Sequence, residues 1–136
     1  MAKPYTPDRA YRLSVLPLGV FMIVGGVVLF AAAMLMPADR IFVPPFEAPW
    51  LKRLVSGGAS LILLPLGLGF CLRSKIAWWG FFVYVFVGTI LHVVAGVFDP
   101  SFVPLAVASP MFNGLFAVGI YFASKPAFAG NVKPSH

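Results

Sequence analysis

Charge is what this chain has least of. Only 10% of its 136 residues are Asp, Glu, Lys or Arg, where a soluble domain carries about 25%. Hydrophobic residues make up 60%, and the mean hydropathy is +0.94. That leaves too little polar surface to coat a water-soluble body. The apolar residues also fall in long runs with the charges confined between them, the pattern of a membrane protein. Carboxylates are scarcest: Asp8, Asp39, Glu47 and Asp99, all outside the runs, which contain no Lys or Arg either. Ion-coupled transporters and membrane hydrolases bring ionisable groups into their spans, so this scarcity weighs against both. Cys71 is the only cysteine, which excludes an intrachain disulfide and a thiolate metal cluster. It is expected to be a small buried apolar residue. There is no Gly-rich phosphate loop before a Lys, no zinc-ligand spacing and no nucleophile–base pair in sequence. The chain is therefore not expected to be an enzyme. The net charge is +6 and the pI about 9.9. The basic residues stand singly or in pairs at the ends of apolar runs, with no basic stripe, so nucleic acid is not an expected partner.

What is present is four apolar runs. The first, residues 13–36, has 24 residues without a charge. It reaches about 36 Å as a helix, enough to cross a hydrocarbon core of about 30 Å. It is far longer than the ~7–15 apolar residues of a signal peptide, and an uncleaved anchor is expected. The others are residues 54–72, 76–98 and 105–123. Pro110 lies near the start of the fourth, and a helix beginning only there would hold about 14 residues, short for a span. Between the runs stand Pro37, Pro44, Pro45 and Pro49, then Arg73-Ser74-Lys75, then Pro100 and Pro104. Connections this short force antiparallel neighbours. The expected fold is an all-α membrane protein, a four-transmembrane-helix bundle over residues 13–124, with tails at 1–12 and 125–136.

Topology follows from Lys and Arg. With four spans, Lys3, Arg9, Arg12, Arg73, Lys75, Lys125 and Lys133 lie on one side, and Arg40, Lys52 and Arg53 on the other. Seven against three places both termini in the cytoplasm, most simply of a bacterial inner membrane. Trp50, Trp78 and Trp79, with Tyr11 and Tyr121, fall at expected boundaries, where amphipathic rings settle.

Two echoes run through the chain. Asp39-Arg40-Ile41-Phe42-Val43-Pro44 matches Asp99-Pro100-Ser101-Phe102-Val103-Pro104 at four of six positions. Both follow an odd-numbered helix, consistent with two tandem helical hairpins or with two convergent outer loops. Leu16-Pro17-Leu18-Gly19 likewise matches Leu64-Pro65-Leu66-Gly67. Pro17 is expected in the first turns of its helix, where a missing N–H costs little. Pro65 is expected inside its helix, freeing the Leu61 carbonyl.

His92 is the one imidazole inside a run. Gly88 and Gly96 lie four residues to either side and open a groove on its helix. The groove suits close approach of another helix or a flat tetrapyrrole with His92 as axial ligand. A lone histidine in a span most often hydrogen-bonds a neighbouring helix. The expected structural polar cluster is Ser56, Ser60, Thr89 and Asn113, with Ser56, Ser60 or Asn113 as the partner of His92. The expected function is a non-catalytic accessory or structural subunit of a larger membrane complex, with an energy-transducing complex among the candidates. Its partners are membrane lipids and other membrane subunits. The alternatives are a pigment- or haem-binding subunit using His92, and a small transporter or channel.

Overall fold

A computed structural model describes residues 6–41, 43 and 46–129, and among them only helices, turns and loops occur. Four helices are long and apolar enough to cross a membrane. They are α1 (Pro7–Leu35), α2 (Pro49–Cys71), α3 (Lys75–Phe98) and α4 (Val103–Ala129). Even α2, with 23 residues, reaches about 34 Å. The chain is an all-helical protein suited to membrane integration.

Helix α1 starts earlier than its apolar run. The Arg9 N–H donates to Thr6 Oγ1 at 3.3 Å, Pro7 sits in the first turn and Asp8 follows. These are the residue types that favour a helix start. Residues 7–12, expected as tail, are thus helical. Pro17 then lies inside α1 rather than in its first turns, and the helix accommodates it with a π turn over Tyr11–Val15. There the Leu16 N–H reaches five residues back to the Tyr11 carbonyl, and such widened turns absorb local mismatch.

Helices α1 and α2 meet along a seam of small residues. Gly19, Met22, Gly26 and Ala33 are buried on one side, and Gly57, Ser60 and Gly67 on the other. A Cβ on Gly19 would lie 2.8 Å from the Gly67 carbonyl oxygen, and one on Gly67 would lie 2.6 Å from that of Gly19. These two glycines close the two Leu-Pro-Leu-Gly echoes, so the repeated motif is a backbone contact. Cys71 is half-buried beside it, with Sγ 2.8 Å from the position of a Gly19 Cβ.

The α2–α3 connector is a Schellman turn. The Ser74 N–H donates to Gly69 O at 2.7 Å and the Arg73 N–H to Phe70 O at 3.0 Å. Arg73 takes the left-handed position, φ 54°, usually given to glycine. Its guanidinium is held by Asp8 at 2.8 Å and lies 4.0 Å above the Tyr11 ring centroid. The Tyr11 hydroxyl donates to Cys71 O at 2.6 Å. The end bearing the termini is thereby fastened across α1, α2 and α3. The core lies there too. Ala10, Val15, Phe70, Trp78, Phe81 and Phe128 bury one another. Trp78, expected in the interfacial belt, is instead interior, stacked on Tyr121 and Phe128 with centroids 5.4 Å away in each case. Trp50 and Trp79 are exposed.

Helix α4 runs unbroken through Pro110 and Pro126 for 27 residues, so the short fourth helix is corrected. Pro110 has no N–H for the Ala106 carbonyl. In lipid, however, every other backbone group still needs an internal partner, which keeps the helix whole. Residues 125–129 continue it, with Ala127 and Phe128 in the core. At the opposite end, Arg53 donates to the carbonyls of Ala33, Met34 and Met36 at 2.7–2.9 Å, tying off the C-terminus of α1. The two echoing loops flank one cleft there, Asp39 and Arg40 facing Asp99 and Phe102. Each has a 3₁₀ turn, Ala38–Arg40 and Pro100–Phe102. Val103 then opens α4 whereas Val43 is not helical, so the two paths part. Phe42 and Pro44 of the echo lie outside the described residues.

Candidate functional site

Thr89 and His92 stand three apart on α3, and Ser109 and Asn113 four apart on α4. These spacings put each pair on one helix face, and the two faces meet. His92 Nδ1 lies 2.8 Å from Ser109 Oγ. The Asn113 amide donates to Thr89 Oγ1 at 2.9 Å and to Ser109 Oγ at 3.0 Å. The Thr89 hydroxyl donates to its own helix at Val85 O, 2.8 Å.

The donors can be counted through. Thr89 has spent its one proton on Val85, so it must accept from Asn113, which fixes the orientation of that amide. Ser109 Oγ also accepts from Asn113. Its own proton has no other acceptor among the described residues, and it therefore goes to His92 Nδ1. The ring is then the tautomer with its proton on Nε2. Ser109 is buried, while His92 and Asn113 are half-buried.

Close helix approach brings these groups within reach. A Cβ on Gly96 would run into the Ala106 side chain, and the Val103 Cα is 3.5 Å from that position. Gly96 is thus filled by α4, whereas Gly88 faces open space. A flat macrocycle laid over both glycines would have to displace the start of α4. His92 Nδ1 is already engaged by Ser109. No group of three His, Cys, Asp or Glu that could hold a metal ion occurs among the described residues, and His136 lies outside them.

The sequence-expected cluster is brought together in part. Thr89, Asn113 and His92 join. Ser56 and Ser60 do not: the Ser60 hydroxyl donates to Ser56 O at 2.7 Å, and Ser60 lies in the α1–α2 seam against Gly26. The partner of His92 is Ser109, which lies inside the expected fourth run, 105–123, but was not singled out there because Pro110 beside it offered a later helix start. The Ser109/Asn113 pair at helical spacing was the available signal.

A hydroxyl 2.8 Å from an imidazole is also the spacing of a nucleophile and its base. Here Ser109 is only 7% exposed. No described residue hydrogen-bonds Nε2 to orient the ring. The adjacent groove is bordered by Thr89 and Asn113 and not by Ser109. The geometry is that of an interhelical tie. Comparison with family models, with curated proteins and with solved structures finds no match to this chain.

Proposed function

We propose that this chain is a non-catalytic accessory subunit of a larger membrane complex, with its helices arranged as two tandem hairpins and both termini in the cytoplasm of a bacterial cell. The observation that carries the proposal is the division among its glycines. Gly19, Gly26 and Gly67 are used within the bundle, but at Gly25, Gly58, Gly88, Gly114 and Gly119 a Cβ would meet nothing within 4 Å. A helical glycine costs about 1 kcal/mol relative to alanine, and acyl chains give nothing back for its smallness. Close packing by another transmembrane helix does. Protein atoms bury only 6% of the most apolar window of the fourth span, which leaves that face free for neighbours. The pairing of α1 with α2 and of α3 with α4 supports the hairpin arrangement. The seven-to-three split of Lys and Arg supports the orientation.

The test is a native-size measurement on the chain extracted in mild detergent from its own membrane. The expected particle is several times the 14.7 kDa of one chain. Gly58→Leu with Gly119→Leu should release the chain without altering its own unfolding, since both side chains enter open space. A wild-type chain that runs as a monomer ends the proposal.

A further inference from the structure

The outer faces of α3 and α4 form one long groove. At the end bearing the termini it is flanked by Lys75, Trp79, Tyr121 and Lys125. Trp79 and Tyr121 also border the next stretch, with Phe82 and Ala117. Phe82 and Ala117 then border a third stretch ending at Thr89, Asn113 and Gly114. We propose that this groove binds one anionic phospholipid, its phosphate between Lys75 and Lys125 and one acyl chain running toward Gly114.

Charge selects the headgroup. Lys75 and Lys125 are exposed, and neither has an ion-pair partner among the described residues. Asp8 is committed to Arg73 at 2.8 Å. Asp39, Glu47 and Asp99 border the cleft at the other end of the bundle. A phosphate fits two cations with no counterion among the described residues, and no described carboxylate stands near to receive the amine of a zwitterionic lipid. Lys125 Nζ lies 5.4 Å from the Tyr121 ring centroid, which holds the ammonium at the groove mouth. The floor is preformed: Trp78 Nε1 donates to Ser124 Oγ at 2.8 Å, and the indole stacks on Tyr121 and Phe128. A rigid wall lowers the ordering cost of binding. Trp79, 59% exposed, stands at the level where headgroups meet acyl chains.

Length selects the tail. Lys75 to Thr89 covers about 21 Å at 1.5 Å per residue. One leaflet supplies about 15 Å of hydrocarbon and about 5 Å of headgroup layer. The groove therefore spans one leaflet. Thr89, Asn113 and Gly114 border its far end.

The experiment uses the full chain carrying Trp50→Phe, so that tryptophan emission reports the groove end alone. It is reconstituted in phosphatidylcholine vesicles and titrated with phosphatidylglycerol brominated on its acyl chains. Quenching should saturate at a far lower lipid fraction than with brominated phosphatidylcholine. Lys75→Gln with Lys125→Gln should shift the midpoint by roughly 30-fold, from the attraction of two lysines to an anionic headgroup. Ala117→Phe, which fills the groove midway, should abolish the saturable component with helicity unchanged by circular dichroism. Gly114→Leu serves if that variant does not fold. Equal quenching by the two lipids, or no shift in the lysine variant, overturns the proposal. Competition by glycerol phosphate alone overturns the acyl-chain part, since it marks a site for free phosphate esters.

Discussion

At the scale of single residues, the tie between His92 and Ser109 makes the sharpest predictions. Interhelical hydrogen bonds in lipid contribute roughly 0.6 kcal/mol on average and up to about 1.7. His92→Leu should lower stability in a reversible detergent-unfolding assay by about 0.5–2 kcal/mol. His92→Gln, which still offers a donor and an acceptor, should lose less. Ser109→Ala should cost at least as much as His92→Leu, because it removes a partner from both His92 and Asn113. Equal stability of all three variants would show that the tie contributes nothing. Asp99 gives a test in pH. The Ser101 N–H, 2.8 Å from Asp99 Oδ1, and then the Ser101 hydroxyl hold its carboxyl below the ordinary 3.8. A depressed carboxyl stabilises the fold fully above its unfolded-state value and ceases to do so as pH falls through the folded value. The thermal-stability gap between wild type and Asp99→Asn should thus be complete at neutral pH and close below 3.8. His92 was legible in the sequence because a lone imidazole stands out in an apolar run. Ser109 was not, because proline rules learned in water put a helix boundary beside it.

Among the elements, glycines separate packing from open surface. A Cβ on Gly67 would meet the Gly19 carbonyl oxygen at 2.6 Å, and backbone cannot step aside as a side chain can. Gly67→Ala should therefore push α1 from α2 and cost about 1–3 kcal/mol, the range for overpacking. Gly25→Ala, in open space, should be neutral or gain up to about 1 kcal/mol in helix propensity. Reversible unfolding of the two variants side by side checks the sign. At the α2–α3 connector, Arg73→Gly relieves a left-handed strain of about 1–2 kcal/mol while losing the contacts to Asp8 and Tyr11. Arg73→Ala loses the contacts and keeps the strain, so it should be the less stable of the two by about 1 kcal/mol. The four apolar runs were readable because their length and lack of charge leave a polypeptide few alternatives. Helix ends were not: Thr6-Pro7-Asp8 is a helix start written in polar residues, and Pro126 lies in a helix whose next residues are buried.

For the whole molecule, orientation is the open quantity with a direct assay. A reporter that fluoresces only in the cytoplasm, fused after His136, should be bright, as the distribution of Lys and Arg requires. A dark fusion with an active periplasmic reporter at the same position would overturn the four-span, N-in arrangement. The bundle is also unequal along its length. Ala10, Val15, Phe70 and Phe128 gather its buried volume at the end bearing the termini, while the guanidinium of Arg53 and short turns tie the other. Mechanically, rods packed densely at one end, and joined at the other only by turns and one guanidinium, are stiffer at the packed end. A change in bilayer thickness or lateral tension would therefore register first at the turns around Asp39 and Asp99, leaving the base around Trp78 almost still.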